Sequence, residues 1–244
     1  MHDELWITAL FNKYLAGFAN TLLSLAHTHA ENPEKPWANF VTLQLLVVFV
    51  FVVVFAYLRP RLSTDRPSCI QHVFEIVYGF LREQSEDVVG HDGKKYLHFF
   101  GTIFFFILFC NLLGLVPTFE SPTMFTPVPL GCALAVFIYY NFVGLQAVGA
   151  WGYAKHFMGP VWWLSFLMIP IEFFSHLGRL LSLTARLYAN MFAGEQVTMV
   201  FMSLIPLGVP VIFMGLHVFV AFLQAFVFIL LTMSYVSGAV AHDH

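Results

Sequence analysis

The sequence predicts an all-α, polytopic membrane protein with about five transmembrane helices, a surface amphipathic helix and a long inclined helical hairpin. Three observations carry that expectation. Hydrophobic residues make up 59 % of the chain and charged residues only 10 %, against roughly 25 % charged in a soluble domain. Uncharged apolar runs recur at lengths that match a hydrocarbon core of roughly 30 Å. Two runs near the carboxyl terminus exceed one upright crossing. A mean hydropathy of +0.77 agrees with all three.

The elements follow in order. Residues 5–26 are apolar at helical spacing, broken by Asn12 and Lys13. Asp3 and Glu4 stand where a signal peptide carries basic residues, so an interfacial helix is preferred. The polar, proline-punctuated HTHAENPEKP then closes an amino-terminal unit, residues 1–37. Residues 38–244 read as a single membrane domain. Its first span, 38–58, reaches about 31 Å and stops at Arg59, Arg61 and Arg66. In 67–90 the apolar positions Ile70, Val73, Phe74, Val77, Phe80 and Leu81 fall at three- and four-residue steps, with Glu75, Arg82, Glu83 and Glu86 largely opposite. That pattern fits a helix lying on the membrane surface.

Spans at 96–116 and 128–148 flank PTFESPTMFTP, a loop with no Lys or Arg. Residues 161–204 then read helical for about 66 Å, twice the membrane thickness, and 207–240 is also overlong. IPLGVP between them favours a turn. Arg59, Arg61, Arg66, Arg82, Lys94 and Lys95 lie on one side with Lys155, and only Lys13 and Lys35 on the other. The basic side is cytoplasmic by the positive-inside rule, which puts the amino terminus outside and the carboxyl terminus in the cytoplasm.

Composition also excludes. A net charge of −3 and the lack of a basic patch with interleaved aromatics argue against nucleic acid. Cys69, Cys110 and Cys132 have no metal-ligand spacing, and no phosphate loop, nucleophile elbow or zinc-protease motif occurs. The histidine pairs 27/29, 91/98 and 242/244 sit mostly in linkers or tails and read as solvated. No cofactor and no metal are expected.

Arg186, inside SLTARLYANMFAGE (182–195), stands out. From Leu180 to Gly194 it is the sole charge, and a central arginine costs about 2.5–3.5 kcal/mol on insertion scales. Glu172, Ser175, Arg179, Arg186 and Asn190 follow at steps of three, four, seven and four, which keeps them on one helical face. Glu172 lies about 21 Å before Arg186 along the axis and Glu195 about 13 Å beyond it. His217 and Gln224, seven residues apart, share a face of the last helix. Carboxylates and imidazoles take and release protons near neutral pH when their surroundings shift them, whereas arginine stays charged. A row of titratable groups interrupted by one permanent cation is what a gated proton path requires.

These residues resemble subunit a of the F-type ATP synthase membrane sector, the stator beside a rotating c-ring. The resemblance is carried by SLTARLYANMFAGE, by IEFFSHLGR (171–179) and by GLHVFVAFLQAFVFILLTMSY (215–235), and extends loosely from residue 38 to the end, including CNLLGLVP (110–117). It implies that Arg186 is the essential arginine facing the c-ring carboxylate, with Asn190 and Gln224 close to it. Glu195 and His217 match the half-channel open to the outside, in the bacterial arrangement, and Glu172 and Ser175 the half-channel open to the cytoplasm. The chain departs at Leu180, where many relatives carry proline. The implied partners are c-ring subunits, the subunit b peripheral stalk, the remaining synthase subunits and the lipid bilayer of a bacterial inner membrane. The chain itself is expected to be a non-catalytic, ion-translocating subunit.

His176 stands as a further candidate for the cytoplasmic path, equally explained as a packing histidine. Arg179 is the other, better explained by stator or headgroup contacts. Ser182 reads as a packing residue, Asn111 as an interhelical bond and Glu120 as a solvated loop charge, with guidance of proton entry as its alternative. The alternative function, a secondary proton or sodium antiporter, predicts internal repeats and paired interrupted helices, and the sequence contains neither.

Overall fold

The computed structural model describes residues 5–25, 32–63, 68–90, 92–116, 119–158, 165–204 and 209–240. The expectations for Arg66, Pro117, the 161–164 start of the first long helix, the 205–208 turn, and His27, His29, His91, His242 and His244 lie outside those residues. Among the described residues every regular element is helical: α1 (Trp6–Leu25), α2 (Asn39–Leu58), α3 (Cys69–Val89), α4 (Gly93–Leu113), α5 (Pro127–Met158), α6 (Ser165–Leu204) and α7 (Val209–Val240). Short 3-10 turns follow α2 at Arg59–Arg61 and precede α5 at Pro122–Met124. Five stretches are long and apolar enough to cross a membrane: Asn39–Arg61, Gly93–Leu113, Pro127–Ala147, Phe166–Ser203 and Val211–Val240. The chain is a multi-pass membrane protein, all-α as its composition predicts.

Asn12, which interrupts the apolar run of α1, clamps that helix to the approach of α2. Its side-chain oxygen accepts the Trp37 amide at 2.9 Å, and its amide donates to the Trp37 carbonyl at 3.4 Å. Thr8 and Thr42 share a buried hydroxyl–hydroxyl bond of 2.7 Å, and the Trp37 indole donates to the Leu15 carbonyl at 3.0 Å. Trp6, Leu10, Tyr14 and Phe18, four residues apart in turn, form the exposed opposite face.

α3 begins at Ser68, whose side chain accepts the Gln71 amide at 3.2 Å, an N-cap bond. It packs against α4 and α7 through Leu81 and the Phe80–Phe226 ring pair, while Arg82 and Glu86 pair at 2.8 Å on its exposed side. α4 turns Leu97, Phe100, Phe104, Ile107 and Asn111 inward at alternating steps of three and four. α5 runs straight as far as Gly149, whose φ of 76° breaks the helix there; the left-handed region favours glycine.

α6, with 40 residues, is about 60 Å long, and α7, with 32, about 48 Å. Both exceed a hydrocarbon core of roughly 30 Å. α6 buries His176, Leu183, Leu187, Met191 and Glu195 along one edge. α7 buries His217, Ala221, Gln224, Phe228 and Thr232. These edges meet the inner faces of α4 and α5 in one apolar core.

Candidate functional site

Arg186 stands past the middle of α6, half-buried, and among the described residues it has no ion-pair partner. One turn on, Asn190 donates from Nδ2 to Gln224 Oε1 of α7 at 2.6 Å. This bond joins the two long helices next to the cation. Beside Arg186 the face of α6 is bare: Gly178, Ser182, Ala185, Ala189 and Ala193 are exposed and carry no bulk.

Towards the carboxyl-terminal end of α6 a carboxylate is buried instead, beside a buried histidine of α7. Glu195 is 9 % exposed and His217 8 %. His217 lies against Gly194, where an added Cβ would stand 3.4 Å from its Cε1. A cavity of about 200 Å³ opens here, lined by Asn190, Gly194, Thr198, Phe213, His217 and Val220. Asn190 and His217 therefore border one space. Glu195 looks to the α4–α5 connection, where the Glu120 carboxylate and the Ser121 amide are its electrostatic neighbours. Among the described residues, Glu195 Oε2, His217 Nε2 and Gln224 Nε2 are buried atoms without a hydrogen-bond partner. Buried polar groups are nearly always satisfied, so three orphans on one flank of the α6–α7 pair mark a place built for something other than packing.

A buried network holds the wall opposite Glu195. Ser121 Oγ lies 3.1 Å from the Cys110 carbonyl oxygen and 2.7 Å from the Thr123 hydroxyl, and its single proton serves one of the two at a time. Thr123 donates to Asn111 Oδ1 at 2.6 Å, and Asn111 Nδ2 donates to the Ala221 carbonyl of α7 at 3.4 Å. Asn111 was legible in the sequence as an interhelical bond; Ser121 and Thr123 gave no signal beyond lying in a polar loop.

Near the amino-terminal end of α6, Glu172 is half-buried, Ser175 exposed and His176 buried. His176 Nε2 lies 3.2 Å from Glu172 Oε1. Its Nδ1 is hydrogen-bonded to the Tyr140 hydroxyl of α5, and the two rings stack with centroids 5.6 Å apart. Arg179 sits over the Tyr235 ring at 5.3 Å. Tyr140 was missed in the sequence, where it reads as one more aromatic in a span. Among the described residues no group of three His, Cys, Asp or Glu side chains forms a candidate metal site.

The family model for the ATP synthase A chain matches residues 40–237. A protein of Solibacter usitatus named ATP synthase subunit a is 63 % identical over 235 residues, covering 96 % of this chain and all of the relative. One of Koribacter versatilis with the same name is 47 % identical over 244 residues and covers both chains completely. A Helicobacter hepaticus protein, again named ATP synthase subunit a, is 41 % identical over 200 residues, or 82 % of this chain and 88 % of its own.

Proposed function

The chain belongs to the ATP synthase A chain family, and from that premise we propose that it is the proton-channel stator subunit of an F-type ATP synthase membrane sector. The observation that carries the proposal is the setting of Arg186. It is a permanent cation far along an overlong apolar helix, with polar, titratable groups towards both ends. Its neighbouring face, formed by Ala185, Ala189 and Ala193, is open and free of bulk, so a partner helix can approach closely.

In this reading a proton arriving from outside reaches Glu195 and His217 and neutralises a carboxylate on a c subunit. The neutral carboxylate leaves the arginine and travels with the ring. After nearly a full turn it meets the second half-channel, and the returning Arg186 favours the ionised form, so the proton leaves past Glu172 and Ser175. Arg186 blocks direct passage between the half-channels because it cannot give up its proton. Asn190 and Gln224 fix the α6–α7 spacing beside it. The buried orphans Glu195 Oε2, His217 Nε2 and Gln224 Nε2 support the outer half-channel, since such atoms exchange protons or bind water.

The partners in this reading are the c-ring, the subunit b peripheral stalk and the remaining synthase subunits. The chain supplies no nucleotide chemistry. Residues 1–37 form the interfacial unit and 38–244 the membrane domain, in a bacterial inner membrane with the amino terminus outside and the carboxyl terminus cytoplasmic.

The test is ATP-driven acidification of inverted vesicles carrying Arg186→Ala in the assembled complex. Loss of pumping with assembly intact is expected; normal pumping would remove the arginine from the ion path and the proposal with it.

A further inference from the structure

His176 is the buried titratable group for which the pathway above has no use, and its surroundings are more specific than packing requires. Each ring nitrogen meets a polar group from a different element. Nδ1 is bonded to the Tyr140 hydroxyl of α5, which is 2 % exposed, and Nε2 faces Glu172 Oε1 at 3.2 Å within α6. The Tyr140 ring stacks on the imidazole at an interplanar angle of 10°, and Phe137 closes it edge-on at 6.3 Å. Among the described residues, Arg179 on α6 and Tyr235 on α7 also stand here. Arg179 is turned onto the Tyr235 ring, whose centroid lies 6.0 Å from that of Tyr140. The cation nearest along α6 is thus engaged by an aromatic face, and Glu172 Oε1 is left to the imidazole. Ser175, by contrast, is exposed.

We propose that His176 and Glu172 form a single proton-holding couple in the cytoplasmic half-channel, with Tyr140 as its positioning residue. This rests on the stator function proposed above and deepens it. When Nδ1–H donates to the Tyr140 oxygen, the ring is fixed in the tautomer whose Nε2 lone pair points at Glu172. One proton then moves between Oε1 and Nε2: on the acid the pair is carboxyl and neutral imidazole, on the ring it is carboxylate and imidazolium. Either form keeps the same net charge, and with the proton on the ring the carboxylate and imidazolium stand as an ion pair across the same 3.2 Å contact. A proton from the path loads the couple, and the same proton leaves to cytoplasmic water, with no other bond changed. A second-element hydroxyl that sets the tautomer is the usual means of aiming an imidazole.

The experiment uses the whole synthase in inverted vesicles, whose cytoplasmic face is outward. His176→Gln preserves an amide-sized polar contact but cannot be protonated, and ATP-driven acidification is expected to fall at least about 10-fold with assembly intact. Glu172→Gln should fall comparably, and the double variant no further, because the two act as a unit. Added imidazole should restore pumping several-fold in His176→Ala, which a structural clamp would not show. Tyr140→Phe should pump, with a displaced pH profile. Should His176→Gln not assemble, His176→Asn carries the same comparison. Full-rate pumping by the His176 variants would overturn the couple. So would equal losses in His176→Gln and Tyr140→Phe at an unchanged pH profile and without imidazole rescue. Arg186→Ala in the same vesicles separates the two levels: if it stops pumping while His176→Gln does not, the couple alone fails; if it pumps normally, the stator reading fails first.

Discussion

Gly194 of α6 and His217 of α7 are in contact: a Cβ built on the glycine would lie 3.4 Å from the imidazole Cε1 and 3.5 Å from Nδ1. One methyl fits at that separation and a branched side chain does not. Gly194→Ala is therefore expected to assemble and pump at a moderately reduced rate. Gly194→Val should displace the ring and fill the cavity of about 200 Å³ beside it, lowering proton flow by roughly 10-fold or more. ATP-driven acidification, with the amount of assembled complex measured alongside, distinguishes the two. Equal rates for both variants would mean that the seat of His217 has no bearing on conduction.

The Asn190–Gln224 bond of 2.6 Å is the polar link between the long helices nearest Arg186. Interhelical hydrogen bonds in membranes contribute about 0.6 kcal/mol on average, so loss of either partner should cost roughly 3-fold through this bond alone. Gln224 is 4 % exposed, so Gln224→Ala also leaves a hole and should be the more severe single change. The double variant Asn190→Ala/Gln224→Ala should be less impaired than the product of the two single effects. Pumping rates of the four chains complete the cycle. Strictly multiplicative losses would show that the two amides act independently.

What could be read from the sequence was whatever broke a periodic apolar pattern. Arg186 was legible because a cation in a spanning helix is costly, and Asn190, His217 and Gln224 because they lie at helical spacing on apolar helices. The lengths of α6 and α7 were legible because no polar break shortens them. Tyr140 was not, since its role comes from His176, which lies 36 residues away on another helix. Asn12 looked like an interruption of α1 and is a clamp on the Trp37 backbone, 25 residues away in sequence. Glu120 read as a loop charge and lies instead within electrostatic reach of Glu195, because the buried bonds of Ser121 and Thr123 draw the loop inward. Spacing reveals which residues share a helix face, and it says little about which faces meet.

That inward-drawn loop gives a third prediction. Thr123 and Asn111 are both 0 % exposed, and the 2.6 Å bond between them satisfies the Asn111 carbonyl oxygen. Thr123→Val keeps the shape and removes the donor, leaving a buried acceptor unpaired at a cost of about 1–3 kcal/mol. Loosening of the Pro122–Met124 turn should follow, and with it the wall facing Glu195. The expected result is a subunit that still assembles, pumps more slowly, and admits small thiol reagents faster at Glu195→Cys from the outer side. Replacing both partners, as Asn111→Leu with Thr123→Val, should recover part of the stability because no orphan remains. Unchanged reagent access in Thr123→Val would show that the network does not govern the wall.

Gly93 opens α4 where the helix start is pressed against α3. A Cβ at this position would clash with the Ser85 carbonyl oxygen and come within 2.8 Å of its carbonyl carbon, and both are backbone atoms that cannot swing aside. The contact is reinforced by the Ser85 hydroxyl, which donates to the Gly93 carbonyl at 3.0 Å. Gly93→Ala must therefore push α3 and α4 apart, and overpacking of this kind costs typically about 1–3 kcal/mol. Because α3 also packs against α7, the displacement should pass to the helix carrying His217 and Gln224. The expected outcome is less subunit retained in the membrane and in the purified complex. Ser85→Ala, which loses one hydrogen bond without a clash, should reduce retention only slightly, by about 1 kcal/mol of stability. Quantifying both variants in the same membranes decides the point, and a Gly93→Ala chain retained as well as the wild type would show that the two helices separate here without penalty.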